Sequence, residues 1–137
     1  MPKLIMFIGI PGSGKTTAAK KFQAAWPTSI AIYEADMFFE KDGKYKWNPN
    51  LLGQAHKWCF NNVEDELKNG NSVIVSNTFL TPRERKPYFE LAKKYNAEVM
   101  VFTCSGEYQN VHNVPSETIE RMKQKYVPYS ENEMKNI

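Results

Sequence analysis

Cysteine is nearly absent from this chain, and arginine is scarce. The sequence holds two cysteines, Cys59 and Cys104, at no metal-ligand spacing and each within an apolar stretch. That excludes a disulfide scaffold and a cysteine-based metal centre, and the expectation is buried free thiols in a reducing compartment. The arginines are Arg83, Arg85 and Arg121 and no others. No apolar run is long enough to span a membrane. The N-terminus carries one lysine and a short apolar run, which leaves no room for a signal peptide, so the expected location is the cytoplasm. A net charge of +3 is too small to announce a nucleic-acid binder, although residues 81–95 hold five basic side chains against two acidic ones. Repeats and linkers are missing too, and a length of 137 residues fits a single domain, residues 1–137.

What is present is a phosphate-binding loop. Residues 9–16 read GIPGSGKT, a full GxxxxGK[ST] pattern, directly after the apolar run at residues 4–8. A strand must turn into a helix there, and the glycines let backbone N–H groups converge on one point. An anion fits such a point. The helix N-terminus adds roughly half a positive charge, Lys15 can reach the outer phosphates, and the Thr16 hydroxyl is placed for Mg²⁺. Chance would produce the pattern in roughly half a percent of chains this long. The expected ATP cradle comprises Gly9, Pro11, Gly12, Ser13, Gly14, Lys15, Thr16 and Thr17.

Helix and strand patterns alternate along the chain, which predicts an α/β fold with a parallel sheet flanked by helices. Four strands are expected, at residues 4–8, 30–34, 73–76 and 99–103. The first helix runs over residues 15–25 and is ended by Trp26-Pro27. The second is capped by Asn48 with Pro49 in its first turn, carries Leu52, Ala55, Cys59, Val63 and Leu67 as one apolar stripe, and stops at Asn69-Gly70. The third opens on Thr81-Pro82-Arg83-Glu84, a capping box. A last helix follows Pro115, and the polar run SENEMKNI reads as a fraying tail.

In an open parallel sheet the ligand lies beyond the carboxyl ends of the strands. The second strand is followed by Glu34-Ala35-Asp36, the third by Asn77-Thr78 and the fourth by Cys104-Ser105-Gly106. Asp36 is the expected general base, or a metal ligand beside Thr16, and Glu34 is its rival because strand alternation decides which faces the cleft. Residues 38–47, FFEKDGKYKW, place four aromatics and three lysines around the hairpin dipeptide Asp42-Gly43. This flap either stacks a nucleobase and neutralises its phosphate or simply closes the core. His56 and His112 have no second ligand at metal spacing. Phosphoryl transfer uses an arginine to stabilise charge on the moving group, and Arg121 on the last helix is the best placed.

These features together resemble the phage polynucleotide kinases and related P-loop kinase-like proteins. The likeness runs through IGIPGSGKTT, YEADMFF, LLGQAHKWC, VIVSNTFLTPRERKPYFELAKKYNAEVMVF and NVHNVPSETIERM, nearly the whole chain. It implies a P-loop NTPase/kinase fold with four parallel strands, and an ATP- and Mg²⁺-dependent phosphotransferase with Lys15 and Thr16 on the donor and Asp36 as base. The implied acceptor is a 5′-hydroxyl of a single-stranded nucleic acid or a nucleotide. For a phage-encoded chain the cytoplasm would be the host's. Three positions depart from the family pattern. Phe39 stands where the family grips its acceptor with an arginine, Asn77 replaces the aspartate after the third strand, and Gln109 replaces a lid arginine. The alternatives are a kinase for a nucleoside, modified base or other small metabolite, and a catalytically weak ATP-binding regulatory protein.

Overall fold

The computed structural model describes residues 1–106 and 114–137. Gln109 and His112 lie outside the described residues. Four parallel strands form one sheet in the order β2 (Ala31–Tyr33), β5 (Val73–Asn77), β1 (Lys3–Ile8), β6 (Glu98–Thr103). The two central strands are buried almost end to end, which is why they read as unbroken apolar runs rather than alternating ones. Register is set by Leu4 beside Val73 on one side and Val99 on the other. The second strand is shorter than the sequence suggests, because Glu34 leaves the sheet to cap a 3-10 turn at Ala35–Phe39.

Helix α1 (Lys15–Ala25) covers one face, where Ala19, Phe22 and Trp26 meet Ile5, Phe7 and Ile74. Helices α2 (Leu52–Lys68) and α3 (Pro82–Lys94) cover the other. The stripe Ala55, Cys59, Val63 and Leu67 is buried as expected, each large aliphatic side chain contributing about 1.5–3 kcal/mol. Leu52 does not join it and is 42% exposed. The tighter 3-10 turn at Pro49–Leu51, capped by Asn48 accepting from Asn50 N, rotates Leu51 toward the core instead. Between β2 and α2, the strands β3 (Glu40–Lys41) and β4 (Lys44–Tyr45) form the hairpin that Asp42-Gly43 announces, with φ of 52° and 74° at those two residues.

The C-terminal run is not a fraying tail. After α4 (Ser116–Lys125), the short helix α5 (Asn132–Lys135) docks on α3. Arg85, wholly buried, donates Nε–H to Phe79 O at 2.9 Å, Nη1–H to Glu133 Oε2 at 2.9 Å, and Nη2–H to the Val127 carbonyl. Val127 N–H donates to Leu80 O at 2.7 Å. A buried guanidinium must be paired, and the polar tail is what pairs it. Arg85 is thereby withdrawn from the helix-three surface, which keeps Arg83 exposed. Among the described residues no helix is long and apolar enough to cross a membrane.

Candidate active site

The strand order reverses beside β1, so α1 and α3 leave the adjacent strands β1 and β5 toward opposite faces. The crevice at their carboxyl ends is where an α/β sheet binds its ligand. The phosphate loop fills it. Gly12 and Gly14 take φ of 82° and 89°, and Gly14 heads α1 with no side-chain cap, so the first N–H groups of that helix stay open to an anion. Gly9 is required by close approach, since a Cβ there would lie 2.2 Å from Ser13 Oγ and 2.8 Å from Cys104 O. Ser13 is 3% exposed and its hydroxyl has no hydrogen-bond partner among the described residues. A phosphate oxygen would satisfy it, as it would the uncapped helix end.

Lys15 and Thr16 follow on the first turn of α1. Burial lowers the Lys15 pKa from the ordinary lysine value, while the nearby Glu34 and Asp36 carboxylates pull it back up. The Thr16 hydroxyl donates to Glu34 Oε1 at 2.9 Å. Glu34 therefore stands on the Thr16 side of the cleft, and Asp36 lies one step further, in the 3-10 turn. That turn is held from two sides. Ala35 N–H donates to Asn77 Oδ1 at 2.9 Å, and Asn77 Nδ2–H reaches Cys59 Sγ at 3.6 Å. Tyr45 OH donates to Asp36 Oδ1 at 3.3 Å, and burial together with that carboxylate pushes the phenol up to about 12. Asn77 thus fixes the end of β5 to the turn that carries Asp36, a use that its sequence position alone does not reveal.

The flap divides into core and surface. Phe39 is 2% exposed and Phe38 packs on Trp58, whereas Tyr45 is 37% exposed and Trp47 56%. A cavity of about 380 Å³ is lined by Phe38, Phe39, Lys41, Lys46, Trp47, Asn48, Pro49 and Leu51. A second, of about 410 Å³, lies between α2 and α3 and is lined by His56, Lys57, Phe60, Asn77, Phe79, Glu84, Pro87 and Tyr88. Arg121 is exposed on α4 and donates to Thr118 Oγ1 at 3.2 Å on its own helix. No cluster of three or more His, Cys, Asp or Glu suited to a metal occurs among the described residues. Mg²⁺ does not need one, because it keeps several waters and binds one or two protein oxygens together with phosphates. The hard oxygens of Thr16 and the two carboxylates beside Lys15 are donors of that kind.

The AAA domain family model matches residues 4–129. NEDD4-binding protein 2 of Homo sapiens is 31% identical over 133 residues, covering 90% of this chain and 8% of that protein. A chain of the Pnkp1/Rnl/Hen1 RNA repair complex superposes with a TM-score of 0.60 at 22% identity, covering 98% of this chain and 42% of its own length. Kti12 of Chaetomium thermophilum, in complex with ADP-AlF3, gives 0.60 at 19% identity and covers 97% and 77%. APS kinase CysC of Mycobacterium tuberculosis, in complex with AMPPNP and APS, gives 0.57 at 14% identity and covers 88% and 67%. This chain therefore spans only 8% of the curated relative and 42% of the RNA repair chain. At these identities the solved structures speak to the fold alone. The chain belongs to the AAA domain family, and its fold, a parallel four-stranded sheet flanked by helices, is that of the P-loop kinases.

Proposed function

We propose that this protein is an ATP-dependent phosphotransferase whose acceptor is a hydroxyl of a single-stranded nucleic acid or a nucleotide, most simply a 5′-hydroxyl. The observation that carries the reading is the meeting of Lys15, Thr16, Glu34 and Asp36 at the mouth of the phosphate loop. The cradle from Gly9 to Thr17 holds the β- and γ-phosphates with backbone N–H groups and the Ser13 hydroxyl, and Lys15 neutralises their charge. Mg²⁺, held by Thr16 and a carboxylate, would supply further charge neutralisation when bound. Asp36 accepts the proton of the attacking hydroxyl as its oxygen bonds to the γ-phosphorus and the bond to the β-γ bridging oxygen breaks, leaving ADP. The Tyr45 hydroxyl orients the Asp36 carboxylate. Arg121 is the candidate for charge on the moving group, and a move from Thr118 toward the loop would be needed for that task.

The acceptor assignment draws on the flap, where exposed Trp47 lines a cavity of about 380 Å³ together with Lys41 and Lys46, and exposed Tyr45 reaches Asp36. Bases stack on such aromatics and phosphates meet such lysines. A second reading is favoured by Phe39, which is buried at 2% exposure where the resembling family carries an acceptor-gripping arginine. A small neutral hydroxyl, such as that of a nucleoside or modified base, would need no such grip, and neither would a weakly catalytic ATP-binding regulator. One screen separates the three. With γ-labelled ATP and 5′-hydroxyl DNA, 5′-hydroxyl RNA, nucleosides and hydroxylated bases, label on the oligonucleotides supports the first reading and label on nucleosides alone the second. ATP binding with no labelled product leaves the regulator.

A further inference from the structure

The hydrogen bond from Thr16 to Glu34 has a consequence for the cation. A threonine hydroxyl has one hydrogen to donate and two lone pairs to offer. It can ligate a cation only when its hydrogen points elsewhere, and here Glu34 Oε1 takes that hydrogen at 2.9 Å. Glu34 reaches this position because it ends β2, caps the following 3-10 turn and lies within the field of Lys15. The end of β5, by contrast, offers no charge to the same spot. Asn77 stands there as a neutral amide, with Oδ1 accepting from Ala35 N and Nδ2 donating to Cys59 Sγ.

We propose that Glu34 is the positioning residue for the cation, orienting the Thr16 hydroxyl and supplying negative charge on the cation side of the site, while Asp36 is left to the acceptor. This rests on the ATP-site reading above, and it assigns the metal-side carboxylate to the end of β2 rather than to Asp36 or to the end of β5. It makes a signed prediction. A carboxylate that faces triphosphate repels it when no cation intervenes and favours it when one does.

The test is calorimetric titration of the full chain with a non-hydrolysable ATP analogue, with and without Mg²⁺. Glu34→Gln keeps a side chain of the same shape that can still accept from Thr16 and from the turn, but removes the charge. The expected result is binding without Mg²⁺ at least as tight as in the wild type, together with a Mg²⁺-dependent gain reduced by about tenfold, in the range known for residues that orient metal ligands. Asp36→Asn should keep the gain. A role in folding or capping alone would weaken both titrations equally, and that result overturns the inference. So does a gain lost in Asp36→Asn and kept in Glu34→Gln. Should Glu34→Gln fail to fold, Glu34→Asp carries the test, since aspartate is also a good cap and changes only the reach. A lowered gain then supports the inference and an unaltered one overturns it. Wild-type protein that binds no analogue under either condition would instead overturn the ATP-site reading, and this inference with it.

Discussion

The phosphate loop and the aromatic flap lie at the same end of the sheet and are built in opposite ways. The loop issues from β1, whose last five residues are at most 3% exposed, and its path is imposed by glycines at positive φ and by Gly9 wedged against Ser13 and Cys104. The flap is a two-stranded ladder of four residues, solvent-exposed from residue 40 to residue 50. A rigid cradle suits a ligand of fixed shape, the triphosphate. An exposed hairpin suits one whose bases vary, and it adds little to the stability of the fold. Substitutions in the first region should therefore disturb the donor and those in the second only the acceptor.

The largest expected effect lies where the two regions meet. Asp36→Asn removes the proposed base and keeps its shape, so ATP affinity should persist while phosphoryl transfer falls on the order of 10² to 10⁴-fold. Steady-state transfer and calorimetry, run on the same protein, check both halves. Loss of Mg²⁺-dependent ATP binding in Asp36→Asn, with Glu34→Gln binding ATP but losing transfer, would move Asp36 to the donor side. Lys15→Ala should weaken ATP binding by about 1.5–3 kcal/mol, the worth of a charge-assisted hydrogen bond, and leave acceptor KM alone. An unchanged affinity in the folded variant would remove the donor assignment.

Trp47→Ala should act on the other region. Because Trp47 is 56% exposed, the protein should keep its melting temperature, while the acceptor KM rises by the equivalent of about 1–3 kcal/mol per stacked base. Only a few lysines border the cavity, so the logarithmic salt slope of oligonucleotide binding should be shallow, about −1 to −3. Unaltered oligonucleotide phosphorylation in Trp47→Ala would send the acceptor to the cavity between α2 and α3.

The smallest effect is a proton. Burial lowers the Lys15 pKa, so at alkaline pH part of the free protein carries Lys15 neutral. Phosphates favour the charged form, and ATP binding should take up a fraction of a proton there. The uptake should grow as pH rises from neutral toward the ordinary lysine value, and vanish in Lys15→Met. Calorimetry in buffers of different ionisation enthalpy measures it, and proton release on binding would contradict the sign.

The same contrast explains what the sequence discloses. Features encoded within a few residues were legible: the phosphate loop, the hairpin at Asp42-Gly43, and the capping box in which Thr81 and Glu84 satisfy each other. Features made by distant partners were not. Thr16 meets Glu34, Asn77 meets Ala35 N, and Arg85 meets Glu133 only once the sheet order is set. That is why the polar C-terminal run reads as a tail in the sequence, and why the sequence does not disclose that Arg85 is buried. Phase was lost for a local reason as well, since one 3-10 turn ahead of α2 exchanged Leu51 for Leu52 at the core.

The proposed function requires that this site transfer the terminal phosphoryl group rather than only bind or hydrolyse ATP. The most direct measurement incubates the protein and Mg²⁺ with a 5′-hydroxyl oligonucleotide and ATP labelled at either the γ- or the α-phosphate, and separates labelled oligonucleotide from labelled orthophosphate. Phosphoryl transfer predicts γ-label on the oligonucleotide, none from the α-position, and loss of the product in Asp36→Asn. Orthophosphate as the sole labelled product, unchanged in amount by any acceptor and by Asp36→Asn, would contradict it.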